Sequence, residues 1–258
     1  MRKFFRSCGR LPHLETLVWR FSSREDVDMK FLSDNCHIRK LMVHGPVNSR
    51  VLGNQLLPTL SRSFRYLTSL SLFWDDFTVS QQSLNLISTL TSLEQLRLGA
   101  LTSSGWDCEW VIDHYAIQTA LRPLIRLRKL ALNRDTYEVY HDLGYGDVDP
   151  VHYYEMQRPR SYQVLLRVAY EETDADRLLF DEFLKEKWEE QHRQDMLCIA
   201  SQYGDIFPEL EWIFLGQLPM EIEVGKSGKK NVVLLSYDRN HCDALQQQMF
   251  GRAQELSS

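Results

Sequence analysis

The sequence predicts an α/β solenoid, with short parallel strands on a concave face, helices on the convex face and a long insertion before the last repeat. Three observations predict it. The phrase apolar-x-x-apolar-x-apolar occurs six times, as Leu14-Leu17-Trp19, Ile38-Leu41-Val43, Leu67-Leu70-Leu72, Leu93-Leu96-Leu98, Leu127-Leu130-Leu132 and Leu210-Ile213-Leu215. The phrases begin 24, 29, 26, 34 and 83 residues apart, and self-similarity at a period of about 20–50 residues belongs to stacked architectures. Between phrases the pattern changes to a spacing near the ~3.6 residues of an amphipathic helix.

Within each phrase the last three positions alternate, so the leucines point inward and the residues between them outward. A further apolar residue stands three positions ahead of most phrases, at Leu11, Phe64, Leu90, Leu124 and Phe207. Asn35 breaks this pattern and makes the second phrase the weakest copy. One repeat cannot bury its apolar face alone, so neighbours must stack.

The helical stretches follow in order. Residues 51–60 carry Val51, Leu52, Leu56, Leu57 and Leu60, with Pro58 expected to kink or end the helix. Residues 80–90 place Leu84, Ile87 and Leu90 three apart behind Ser80 as N-cap. Residues 110–121 carry Val111, Ile112, Tyr115 and Leu121 and stop before Pro123. Residues 137–160 read as a long loop and 162–170 as a short regular piece. Thr173-x-x-Asp176 opens a helix over 175–203, with Leu179, Phe183, Leu184, Trp188, Met196, Ile199 and Ala200 as its buried stripe and Gly204 as its stop. Segments 222–224 and 232–235 flank Gly225-Lys226-Ser227-Gly228-Lys229-Lys230 as a loose hairpin that caps a sheet edge. The chain thus divides into a repeat array (1–136), a Tyr-rich insertion (137–172), a long helix with the last repeat (173–224), and a hairpin cap with tail (225–258).

Composition narrows the function. The chain of 258 residues is 43% hydrophobic and 25% charged, enough for a sizeable core and against disorder throughout. A net charge of -5 gives nucleic acid no support as the partner. The five cysteines are odd in number and form no C-x-x-C pair, which fits reduced thiols in a cytoplasmic or nuclear protein. No apolar run approaches the ~20 residues that span a bilayer, so no membrane is expected.

Nor does catalytic chemistry assemble. Cys36-His37 and His241-Cys242 lack the ligand spacing of a zinc site. Gly225-Lys226-Ser227 echoes a phosphate loop but has Met220 where that motif needs glycine. There is no G-x-S-x-G and no H-E-x-x-H. No catalytic residue, metal or cofactor is expected.

The L-x-x-L-x-L phrases, with Leu11-Pro12-His13-Leu14-Glu15-Thr16-Leu17, Leu90-Thr91-Ser92-Leu93-Glu94-Gln95-Leu96 and Phe207-Pro208-Glu209-Leu210-Glu211-Trp212-Ile213, resemble the leucine-rich repeat family over residues 11–136 and 205–218. The family's Asn or Cys after the last leucine is not kept: Asn133 is adjacent to Leu132 and Asp75 only approximates the position. Irregular copies of this kind resemble the repeat region of fungal F-box and leucine-rich-repeat proteins. The resemblance implies a protein-binding module acting as substrate receptor of a ubiquitin ligase. No F-box is visible and Leu11 leaves no room for one, so an adaptor partner would require an F-box further upstream.

The phrases also fix which side chains face the partner. Thr16, Val18, Arg20; Lys40, Met42, His44; Ser69, Ser71, Phe73; Gln95, Arg97, Gly99; Lys129, Ala131, Asn133; and Trp212, Phe214, Gly216 should line the concave sheet. Among them Arg20, Lys40, His44, Phe73, Arg97, Lys129, Asn133, Trp212 and Phe214 are the candidate partner-binding residues. They set positive charge and exposed aromatics on a face without acids. The insertion holds seven of the eleven tyrosines; Tyr145, Tyr153 and Tyr154 are either further interface residues or cover for the core. Two other readings compete. In one, the chain is a truncated, non-functional repeat fragment whose Leu11, Leu14 and Leu17 face water. In the other, it is an enzyme with a site in the 137–172 insertion.

Overall fold

A computed structural model describes residues 9–20, 29–44, 46–76, 78–100, 112–133, 190, 192–216, 218–225 and 228–235. Six strands run parallel in chain order: β1 (Thr16–Arg20), β2 (Lys40–His44), β3 (Ser69–Trp74), β4 (Gln95–Ala100), β5 (Lys129–Asn133) and β6 (Trp212–Leu215). Two antiparallel strands, β7 (Leu218–Val224) and β8 (Lys230–Leu234), complete one open eight-stranded sheet ordered β1 to β8. The fold is α/β, as expected, with a mostly parallel sheet.

The phrases set the register. Leu17, Leu41, Leu70, Leu96, Leu130 and Ile213 stand opposite one another across the six parallel strands. All are buried, and all belong to one core. Burying a leucine contributes about 1.5–3 kcal/mol, while a slip of one residue would turn every such side chain to the other face. The same turn precedes most strands: the first apolar residue of the phrase donates its N–H to the carbonyl three residues earlier, at 3.0 Å for Leu14 to Leu11, Leu93 to Leu90 and Leu127 to Leu124, and at 3.1 Å for Leu210 to Phe207. One carbonyl then accepts two N–H groups from the next phrase, Arg39 O from Thr68 and Ser69, and Glu94 O from Arg128 and Lys129. The pattern recurs at Glu15, Thr68 and Arg128.

Asn35, the apparent defect of the second phrase, is fully buried. Its Oδ1 accepts from Leu11 N at 2.7 Å, and its Nδ2 donates to Gly9 O at 3.0 Å and Phe31 O at 2.9 Å. A polar side chain here satisfies backbone groups of the turn beside β1, the first strand among the described residues. Leu17 is buried, and Leu11 and Leu14, each half-buried, pack against the core.

Helices cover the leucine face. α1 (Met29–Asp34) contributes Phe31 and Leu32 to the core. α2 comprises Ser49–Val51, a π turn over Leu52–Leu56, and Leu57–Ser63. Pro58 does not end it: the regular pattern is interrupted by the π turn just ahead, which accommodates the missing N–H and the bulk of the ring, and the helix runs on to Ser63. α3 (Gln81–Ser88) starts at Ser80, whose Oγ accepts from Ser83 N at 3.1 Å. α4 (His114–Leu121) starts at Asp113, whose Oδ1 accepts from Ala116 N at 2.9 Å.

Across the long fifth interval, β5 and β6 are direct neighbours in the sheet, with Lys129 opposite Trp212. Its tail, helical residues 192–206 (α5), packs against α4 through His114 Nδ1 and Tyr203 Oη at 3.2 Å. Of the stripe expected for this helix, Met196 and Ala200 are buried while Ile199 is half-buried; His192 and Tyr203 complete it. Leu179, Phe183, Leu184 and Trp188 lie outside the described residues. Gly204 does not stop α5. It lies within the helix, close to β7, where a Cβ would sit 3.6 Å from Ile222. Gly204 O in its last turn, with Phe207 O and Pro208 O just beyond it, accept from Lys230 Nζ at 2.8, 2.8 and 2.7 Å. Burial pushes the Lys230 pKa down, opposed by Asp205.

The hairpin expected at the sheet edge is formed. Gly225 N donates to Lys229 O and Gly228 N to Gly225 O, with Gly228 at a φ of 77°. Among the described residues no helix is long and apolar enough to cross a membrane.

Candidate interaction surface

Alternation along each strand puts three rows of side chains on the sheet face opposite the leucines. The first row is Thr16, Lys40, Ser69, Gln95, Lys129 and Trp212; the second is Val18, Met42, Ser71, Arg97, Ala131 and Phe214; the third includes Phe73, Gly99 and Asn133. Strands lie about 4.8 Å apart, so a long side chain must share space with its neighbours in the row. The second row solves this by alternating size, Met42, Ser71, Arg97, Ala131 and Phe214. Ser71 and Ala131 are buried between bulkier residues.

The centre of the face is a built cluster. The Arg97 guanidinium carbon stands 4.9 Å from the centroid of the Phe73 ring, a cation–π distance. Arg97 Nε donates to Asn133 Oδ1 at 3.1 Å. The Phe73 ring lies across Gly99, where an added Cβ would come within 2.6 Å of it. Three residues separately proposed from the sequence, Phe73, Arg97 and Asn133, are thereby brought together, each half-buried. Gly99 is the residue that permits this. The size alternation that reveals its role is visible in the sequence only after the register is known.

Lys40 is exposed and Lys129 half-exposed. Arg20 and His44 are placed by strand register alone, the last residues of β1 and β2. Tyr145, Tyr153 and Tyr154 fall outside the described residues.

Trp212 and Phe214 differ from expectation. They were to add exposed aromatic surface, yet they are 2% and 1% exposed. They stack at 6.2 Å between centroids and form a second small core with Ala131, against which Met42 and Leu235 pack. Strand alternation fixes the face on which these rings lie, but not how deeply they are buried.

The acid-free character holds across the described positions of β1 to β6 and ends at β7. Glu221 pairs with Trp212 across the antiparallel junction, and Glu223 follows two residues later on the same face; both are exposed. The face is therefore polarised, with cations on β2, β4 and β5, buried aromatics on β6 and exposed carboxylates on β7.

The rim at the strand starts is also charged, but with paired ions. Arg126 bonds Glu94 at 3.2 Å, and Arg128 donates through Nε and Nη2 to Glu211. The hydrogen bond and charge of Glu211 hold the Arg128 pKa above its ordinary value. These residues, with Pro208, Leu210 and Ile222, line an open groove of about 480 Å³. Cys36 and Cys198 are free thiols, His37 Nε2 donates to Leu11 O at 2.9 Å, and no group of three metal-ligating side chains occurs among the described residues. His241 and Cys242 lie outside them. No family model and no curated protein matches this chain.

Proposed function

We propose that the chain is a protein-interaction module, an irregular leucine-rich-repeat solenoid that binds a protein partner on the face of its sheet opposite the leucines. The supporting observation is the common register of the six phrases. That register turns Lys40, Phe73, Arg97, Lys129 and Asn133 to one side and leaves the leucines to the core. Rigid strands holding a stacked, hydrogen-bonded arginine among half-exposed neighbours present a preformed surface, which lowers the ordering cost of binding. The ubiquitin-ligase context rests on the wording of the L-x-x-L-E-x-L phrases alone.

The test is proximity labelling in cells with the wild-type chain and the Arg97→Glu/Lys129→Glu variant, both checked for the same melting temperature. The expected result is a specific set of labelled proteins that drops about tenfold or more in the variant, as for disruption of a central charged contact. An unchanged set would remove this face as the binding surface.

A further inference from the structure

Resting on that reading of the face, we infer that its partner is an extended acidic peptide segment, with carboxylates four residues apart, laid across β2 to β5. Lys40 and Lys129 occupy the same row, on β2 and β5. Neither ammonium has an ion-pair partner among the described residues, whereas the rim arginines Arg126 and Arg128 are paired. Between the two lysines, the row holds only the short Ser69 and the neutral Gln95. Arg97 stands next to Lys129 in the following row, held by Phe73 and Asn133.

The spacing specifies the ligand. Three strand intervals separate Lys40 from Lys129, about 14 Å at ~4.8 Å each. An extended peptide advances about 3.4 Å per residue, and residues an even number apart face the same way. Carboxylates at i and i+4 therefore span about 14 Å on one side, matching both lysines, and a side chain at i+2 falls over Ser69 and Gln95. A helical ligand rises only ~1.5 Å per residue and would bring the same pair to about 6 Å. Beyond Lys129 the face changes sign at Glu221 and Glu223, so the segment must carry no acid past its second carboxylate. That polarity places the acid-free end of the segment toward β6 and β7, and it disfavours a polyanion of uniform charge such as a nucleic acid.

The probe is a fluorescein-labelled peptide Glu-Thr-Thr-Thr-Glu-Thr-Lys, titrated with the full chain by anisotropy alongside its Gln-for-Glu counterpart, a Glu-Thr-Thr-Glu spacing control, and single-stranded DNA. Expected are binding of the first peptide that weakens with salt, a loss of about tenfold for each of Lys40→Glu and Lys129→Glu, and little binding of the controls. Equal binding of the Glu and Gln peptides overturns the inference, as does equal binding at either spacing or tighter binding of DNA. Lys40→Gln and Lys129→Gln provide variants whose folding is not strained by charge reversal. If labelling in cells falls with Arg97→Glu/Lys129→Glu while the acidic peptide does not bind, the interaction face stands and the ligand chemistry is wrong. If neither responds, both fail.

Discussion

The two ends of the described sheet are finished in different ways. At β1 the strand direction is retained, and the exposed end is fastened by one buried side chain, Asn35, bonded to Gly9, Leu11 and Phe31. At β6 the direction reverses: Gly216, at a φ of 52°, turns the chain into an antiparallel hairpin. Lys230 from that hairpin then closes the end of α5. The first device satisfies backbone groups within the pattern of the repeat. The second replaces the pattern. Polar satisfaction suffices where a strand simply ends; where the sheet must continue without a further helix, a tight turn and a backbone of different direction are needed.

Breaking the turn should have the largest effect. A Cβ at Gly216 would meet Met196 Sδ at 2.5 Å and His192 Cε1 at 2.8 Å, in a conformation unfavourable for L residues. His192 also donates to the Gly216 carbonyl at 2.9 Å. Gly216→Ala is expected to cost about 3 kcal/mol or more in denaturant unfolding; a loss under ~1 kcal/mol would show that the turn adapts. Next is Asn35→Leu, which restores the apolar residue that the repeat pattern asks for. It should nonetheless destabilise by about 1–3 kcal/mol, because buried backbone groups lose their partner. Hydrogen exchange should quicken at Leu11 and in β1 while β4 and β5 keep their protection. Uniform loss of protection would mean that the two ends are not energetically separate.

Lys230→Met should cost about 1–2 kcal/mol by removing the donor shared by three carbonyls, with fraying read as faster exchange in the last turn of α5. The smallest effect belongs to Arg128→Ala. Its pair with Glu211 is about half exposed on both sides, at 49% and 51%, and such pairs contribute at most ~0.5–1 kcal/mol. A melting temperature that moves as far as for Asn35→Leu would place the rim, not the buried core, in control of the stack.

Much of this was readable without coordinates. The six phrases became six parallel strands, Ser80 became a cap, and the hairpin after Leu215 formed, because each depends on local spacing or on chemistry within a few residues. Asn35 looked like a weak copy because its partners, Gly9 and Leu11, are far from it in the chain. Pro58 does not end its helix, and the π turn ahead of it leaves no mark in residue type. Trp212 and Phe214 were placed on the right face and given the wrong exposure, since direction follows from alternation while burial depends on what stands alongside.

The sequence by itself determined the α/β class, the parallel register and the identity of the face carrying Lys40, Arg97 and Lys129. A period of two within strands and a repeat between them leave one way to bury the leucines. Only the tertiary structure decided that Phe73 lies over Gly99 beneath Arg97, that the aromatics of β6 are buried, and that the face turns acidic at β7. Those features arise between strands, where size and charge in one repeat act on residues many positions away.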